Sequence, residues 1–238
     1  MKIGITTAMP EEARAILKNA EEPQRSQHGG RSVFRCRIAG HDVTLVEAGM
    51  GMVNAGWAAT ALAIQTPDLM ISAGFGGGVL PGLKVGDVVM AEQVLHWTGD
   101  GFEQVETGMY AAENSSLFVR GCFITSDGIL NKHDLQGLLP SDAHHPVLEM
   151  ESAAVARVAA EHGIPFLGLR AISDPWDEEL GFAINEFCDD ELRIRPLKVL
   201  ATILRRPTII PQLIRLARNS RVAAKSLCAA TEQLFRQL

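Results

Sequence analysis

Three carboxylates, one arginine and two serines fall in two short motifs of this 238-residue chain, Leu148-Glu-Met-Glu-Ser152 and Arg170-Ala-Ile-Ser-Asp174. Positioned carboxylates can donate or accept protons for a reacting molecule. Arg170 lies inside Phe166-Leu-Gly-Leu-Arg-Ala-Ile172, which is otherwise apolar. An unpaired guanidinium buried there would be very costly, so one of the nearby carboxylates is its natural partner. Ser173 and Asp174 follow at once, and Pro175 disfavours a helical conformation at Asp174. A second acidic pair, Glu11 and Glu12, follows Met9-Pro10. Acids at the front of a helix also lower its energy through the helix dipole, which accounts for both pairs without chemistry. Residue types alone leave both readings standing.

The elements that must hold these residues follow from periodicity. A helix after Glu151 carries Ala154, Val155, Val158 and Ala159 on one face and is stopped by Gly163 and Pro165. The apolar run 166–172 reads as a strand covered on both faces, with Ser173 and Asp174 at its carboxyl end, where open α/β sheets place ligands. Upstream, the pattern predicts a strand Lys2–Thr7, a helix Pro10–Asn19 and a polar loop Gln24–Arg31. A hairpin, Ser32–Ile38 and His41–Glu47, turns at Ala39-Gly40. A small-residue helix Met52–Ile64, a short strand Leu69–Ala73 running into a glycine loop at 74–78, and strands Asp87–Val94 and Cys122–Ser126 come next. The alternation predicts a mixed sheet with helices on both faces. After Asp190 the pattern is helical only, interrupted by Pro196, Pro207 and Pro211.

Several chemistries find no support. Gly74-Phe-Gly-Gly-Gly78 opens no helix and no Gly-Lys-Ser/Thr follows, which disfavours a dinucleotide or Walker phosphate loop. The seven histidines form no metal-binding motif and no Gly-x-Ser-x-Gly elbow is present, so neither metal nor cofactor is expected. A net charge of −6 gives no reason to expect nucleic acid. Cys36, Cys122, Cys188 and Cys228 are widely spaced and read as free thiols of a reducing cytoplasm. Neither a signal peptide nor a membrane span is read from the chain, so a cytoplasmic location is expected.

Met1-Lys-Ile-Gly-Ile, Ala8-Met-Pro-Glu-Glu12, Gly49-Met-Gly-Met-Val53, Ala73-Gly-Phe-Gly-Gly-Gly78, Lys84-Val-Gly-Asp-Val88, Leu148-Glu-Met-Glu-Ser152 and Arg170-Ala-Ile-Ser-Asp174 together resemble the purine nucleoside phosphorylase/nucleosidase superfamily. Within it the chain looks most similar to 5′-methylthioadenosine/S-adenosylhomocysteine nucleosidases, over residues 1 to about 190. The resemblance implies a three-layer α/β/α sandwich with a mixed, partly barrel-like central sheet, usually a homodimer, acting on an adenine nucleoside without cofactor. It implies that Asp174 protonates the adenine, oriented by Ser173, and that Glu151 and Met150 hold the ribose. Glu12 would activate water with Arg170 nearby, the backbone of Ile129 and Leu130 would meet the base, and Met50 would line the 5′ pocket. Phe75 and Gly76 of the glycine stretch are assigned to the substrate site as well. Residues 97–102, Phe182 and Ile184 are further candidates for the 5′ wall.

Two departures qualify that implication. Phe75 stands where the family usually has serine, and with Arg14 it leaves phosphorolysis open beside hydrolysis. The segment 191–238 carries ten Lys/Arg against two Glu, so the rest of the chain is strongly acidic. This tail resembles the C-terminal part of hopanoid-associated nucleosidases and raises adenosylhopane as an alternative substrate. It is expected to be a helical extension of a 1–190 domain, packed on that domain, with peripheral contact to anionic lipid as a further possibility. A nucleoside-binding or lipid-surface module without catalysis is the competing reading from another class.

Overall fold

The computed structural model describes residues 1–110, 118–178, 202 and 205–238. Ten strands form one sheet: β1 (Lys2–Thr7), β2 (Glu21–His28), β3 (Arg31–Ile38), β4 (His41–Glu47), β5 (Leu69–Gly78), β6 (Val88–Trp97), β7 (Phe102–Gln104), β8 (Val119–Ser126), β9 (Val147–Glu149) and β10 (Phe166–Asp174). The helices are α1 (Pro10–Ile16), α2 (Met52–Ala63), α3 (Lys132–Gln136), α4 (Ser152–Glu161) and α5 (Ile210–Phe235). Short 3-10 turns cover Leu17–Asn19 and Pro207–Ile209.

The sheet order is β10-β6-β8-β9-β5-β1-β4-β3-β2, and β10 also pairs with β5. That extra pairing closes β10, β6, β8, β9 and β5 into a five-stranded barrel, while β1, β4, β3 and β2 extend it as an open sheet. The partly barrel-like mixed sheet expected from the motifs is therefore present. β10, β5, β1 and β4 run parallel, so their carboxyl ends share one edge. Phe166 pairs with Met70 and Asp174 with Gly77, with an irregularity between Ile172 and Asp174.

Two apolar layers flank this sheet. On one side Ile3, Ile5, Ala73 and Phe75 meet Ala13 and Ile16 of α1 and Ala223, Leu227, Leu234 and Phe235 of α5. On the other, Met70, Phe166 and Ile172 meet Ala55, Ala58, Ala59 and Leu62 of α2 and Ala153, Val155, Ala156 and Ala159 of α4. The alanines let α2 and α4 lie close to the sheet and to each other. Ala154 and Val158, expected on the buried face of α4, are only partly buried but pack on the same layer. Gly163 ends that helix as anticipated, at a φ of 64° that favours glycine.

Two expectations fail in instructive ways. Residues 24–28 of the anticipated polar loop belong to β2, an exposed outer strand whose backbone pairs with β3. All of its residues are exposed, so this strand buries no face and its sequence carries no apolar alternation. Gly74–Gly78 is no loop either, since it continues β5 and is buried throughout. A Cβ at Gly74 would stand 2.6 Å from Glu12 Oε1, and one at Gly76 would stand 2.5 Å from Val147 Cγ1. The glycines are required by neighbours approaching the strand, not by a turn.

Within the tail, α5 buries Ala223, Leu227, Ala230, Thr231, Leu234 and Phe235 against its own domain, packing on α1 and β10. The first helix anticipated there, across 197–206, falls largely outside the described residues, as do Phe182, Ile184 and Cys188.

Candidate active site

Arg170 lies mid-strand on β10 with its side chain 2% exposed, and its partner is Glu149 at the end of β9, at 2.5 Å. Both terminal nitrogens of the guanidinium are engaged by the protein. Nη1 donates to the carbonyls of Ser72 (3.0 Å) and Leu169 (3.2 Å), and Nη2 donates to Ser72 Oγ (3.0 Å). Glu149 in turn accepts from Thr125 Oγ1 and from the amides of Glu151 (3.0 Å) and Ser152 (2.8 Å). It therefore feeds the first free N–H groups of α4 while neutralising Arg170. The helix-dipole reading and the ion-pair reading of this acid are both satisfied by the same carboxylate.

Glu151 lies 3.5 Å from Arg170 Nη2, behind Glu149. It accepts from the Gly51 amide at 2.9 Å, a geometry available because Gly51 holds φ at 91° ahead of α2. Burial, with the Glu149 charge alongside, pushes its carboxyl up to about 7, although Arg170 pulls the other way. Glu12, 3% exposed at the start of α1, accepts from the amides of Ala8 (2.9 Å), Met9 (2.8 Å) and Phe75 (2.8 Å). Burial raises its carboxyl above the usual range, against those amides and Arg170. For Arg170 itself burial works against the charge, but the carboxylates of Glu149, Glu151 and Glu12 outweigh it and raise its pKa. Glu12, Glu151 and Arg170 line one narrow polar recess together with Thr6, Thr7, Ser72 and Gly74. Thr7 Oγ1 and Arg170 Nε are buried there without a hydrogen-bond partner among the described residues. The recess thus gathers two carboxylates of raised pKa and two unused polar groups in one place.

Asp174 ends β10 with its side chain 26% exposed. Ser173 Oγ donates to its Oδ1 at 2.7 Å, and the Lys132 ammonium of α3 contacts its Oδ2. Asn131 caps α3 by accepting from the His133 amide at 3.0 Å. Ile129 and Leu130 immediately precede that cap, so their backbone belongs to the segment that delivers Lys132 to Asp174.

The structure thus gathers Glu12, Glu151 and Arg170 at one recess, with Ser173 and Asp174 a few residues further along β10. Met50 and Met150 flank the hydrogen bonds to Glu151, through Gly51 and through the Met150 amide at 3.3 Å. The Trp97 and Phe102 rings pack in a tilted pair, centroids 4.8 Å apart, beside Leu130 and Leu148 in a third apolar cluster. Phe75 needs correction. Its side chain sits in the α1/α5 layer, and only its amide serves the site, through Glu12. Gly76 acts by having no side chain, which leaves room for Val147 and the Arg170 stem. Arg14 is exposed and pairs with Glu11 at 2.8 Å, away from the recess.

Sequence reasoning listed Glu149 among the acids but gave it no site role, and it passed over Lys132, Thr7, Ser72 and Thr125. A buried arginine signalled that some carboxylate was needed but not which one. Nothing about Lys132 in Asn-Lys-His distinguishes it from a surface lysine.

Comparison with known proteins gives one consistent answer. A family model described as the phosphorylase superfamily matches residues 2–205. A 5′-methylthioadenosine/S-adenosylhomocysteine nucleosidase from Haemophilus influenzae is 30% identical over 210 residues, 79% of this chain and 92% of the relative. One from Listeria welshimeri is 31% identical over 214 residues, with the same coverage of 79% and 92%. The fold matches a Campylobacter jejuni nucleosidase of that name at a TM-score of 0.73, 18% identity and full coverage of both chains. A Streptococcus pneumoniae nucleosidase, solved with a transition-state inhibitor, matches at 0.64 and 25% identity, covering 95% of this chain and 100% of that one. With most of its length matched in sequence and its barrel-and-sheet topology matched in space, the chain belongs to the phosphorylase superfamily.

Proposed function

We propose that this protein is an N-ribosyl hydrolase that releases adenine from a 5′-substituted adenine nucleoside of the methylthioadenosine or adenosylhomocysteine kind. The observation that carries the reading is the joining of Glu12, Glu151 and Arg170 about one recess, with Asp174 at the end of the same strand. The substrate class rests on the names of relatives that are matched over nine-tenths of their length.

Breaking the N-glycosidic bond leaves positive charge on the ribose and negative charge on the base. Asp174, oriented by Ser173, delivers a proton to adenine N7, so the base departs neutral. Glu151 holds the ribose hydroxyls, and in its ionised form it stabilises the cationic sugar. Water adds to the anomeric carbon and gives its proton to Glu12, whose raised pKa fits an acceptor. Met50, Trp97 and Phe102 form the apolar side toward the 5′ group. Water is favoured over phosphate because Glu12 and Glu151 line the recess, while four Arg170 hydrogen bonds are already spent on protein groups. A phosphate dianion would meet two acids and little free cation.

Two properties of the assembly belong to the same proposal. The α2 surface leaves Val53 88% and Ile64 75% exposed, an apolar face suited to a second copy of the chain. On α5, Ile210 and Ile214 are exposed near Arg218 and Arg221, a surface suited to anionic lipid.

Chromatographic detection of free adenine from methylthioadenosine, adenosylhomocysteine and adenosylhopane, each with and without phosphate, tests the reading. Phosphate-independent release that Asp174→Asn abolishes is expected. Release that requires phosphate, or that survives Asp174→Asn, overturns it.

A further inference from the structure

We infer that Lys132 is the positioning residue for Asp174, a buried ammonium that fixes the carboxylate and ties it to the segment carrying Ile129 and Leu130. The inference rests on the role proposed above for Asp174.

Lys132 is the one buried lysine among the described residues, 8% exposed, in a chain whose other described lysines lie at the surface. Burying an ammonium is costly unless its donors are satisfied, so its partners define its purpose. An ammonium has three N–H donors. Lys132 Nζ contacts Asp174 Oδ2 and donates to the carbonyls of Asp174 at 3.1 Å and Pro175 at 2.8 Å. All three donors are thus spent on the last residue of β10 and the one after it. None remains for a ligand, so Lys132 acts through Asp174 and not on substrate.

The surroundings show why such a clamp is needed. Asp174 pairs with Gly77, and a Cβ on Gly77 would collide with Asp174 Oδ2 and stand 2.7 Å from Lys132 Cε. On that side β5 offers no side chain to hold the carboxylate, and the lysine stem fills the space. The register also shifts between Ile172 and Asp174, so the ladder is irregular where it reaches the last residue. With Ser173 Oγ on Oδ1 and Lys132 Nζ on Oδ2, both oxygens are held from opposite sides.

Lys132 is not needed to anchor α3. Leu135 is 1% exposed in its own apolar cluster, Gln136 Nε2 donates to the Val79 carbonyl at 2.9 Å, and Asn131 caps the helix. Removing the ammonium should therefore leave the fold and loosen the carboxylate. Small displacements of a reacting group cost up to about a hundredfold in rate.

Two measurements test this. In steady-state adenine release, Lys132→Met is expected to lower kcat about 10- to 100-fold with KM changed less than about threefold, and Lys132→Arg to recover part of that loss. Independently of activity, reductive methylation read by peptide mass spectrometry should leave Lys132 protected relative to Lys18 and Lys84, and Asp174→Ala should remove that protection. Wild-type kcat in Lys132→Met, or ready methylation of Lys132 in the wild type, overturns the inference. Protection that holds in a protein releasing no adenine would instead count against the proposed activity and leave the Lys132–Asp174 pair standing.

Discussion

At the scale of single residues, the cost of gathering charge inside the protein decides what substitutions do. Arg170 neutralises Glu149 and Glu151 in a nearly water-free setting. Arg170→Met would leave two buried acids without a counter-ion, and loss of about 3–5 kcal/mol is expected from denaturant unfolding. Glu151 makes a pH prediction whose sign is fixed by its direction of shift. Burial and the Glu149 charge raise it from 4.5 to about 7, so the folded state holds the proton more tightly than the unfolded chain does. Its contribution to stability is complete below about 4.5 and is lost as pH rises through about 7. Between pH 4.5 and 8 the wild type should lose roughly 2–3 kcal/mol relative to Glu151→Gln, followed by melting at each pH. If ionised Glu151 is the form that serves the sugar, kcat/KM should climb through pH about 7 in the wild type, a limb Glu151→Gln lacks.

At the scale of elements, β5 is the strand that makes room. Its glycines look like a flexible loop in sequence and are a buried strand in space, because Glu12, Val147, Arg170, Asp174 and Lys132 press against it. Gly77→Ala is expected to retain the far-ultraviolet dichroism of the wild type while losing at least about tenfold in turnover, since the added methyl displaces the Asp174–Lys132 pair. A variant with unchanged turnover would show that the carboxylate tolerates displacement. The junction of β9 with α4 works differently. One carboxylate, Glu149, receives the strand-end threonine hydroxyl, the helix amides and the arginine, so strand, helix and β10 are fixed relative to one another by a single side chain.

At the scale of the whole molecule, α5 is part of the core and not an appendage. Phe235 and Leu234 are each 1% exposed, packed with residues of α1 and the sheet. Phe235→Ala should cost about 3–5 kcal/mol in chemical denaturation, whereas substitution of exposed Ile214 should cost little. No described helix is long and apolar enough to cross a membrane, and the lipid contact proposed above rests on the Ile210–Lys225 half of α5. Ile214→Asp should abolish sedimentation with anionic vesicles if that contact exists, without altering adenine release.

The sequence by itself determined much of the order of elements and named the candidate site residues, while β2, β7, β9 and α3 left no local pattern in it. Apolar periodicity is local, so strands β1, β3, β4 and β10 and helices α2 and α4 could be read within a residue or two. The motifs around Glu12, Glu151 and Asp174 marked the chemistry because those residue types recur in a recognisable order. Only the tertiary structure decided which acid answers Arg170, why Phe75 turns away from the recess and why 74–78 is a strand. It also decided that Lys132, from a five-residue helix, reaches the end of β10. Each of these is set by which groups burial forces together across tens of residues of chain, where the cost of an unpaired charge or a colliding Cβ acts, and no local pattern encodes that.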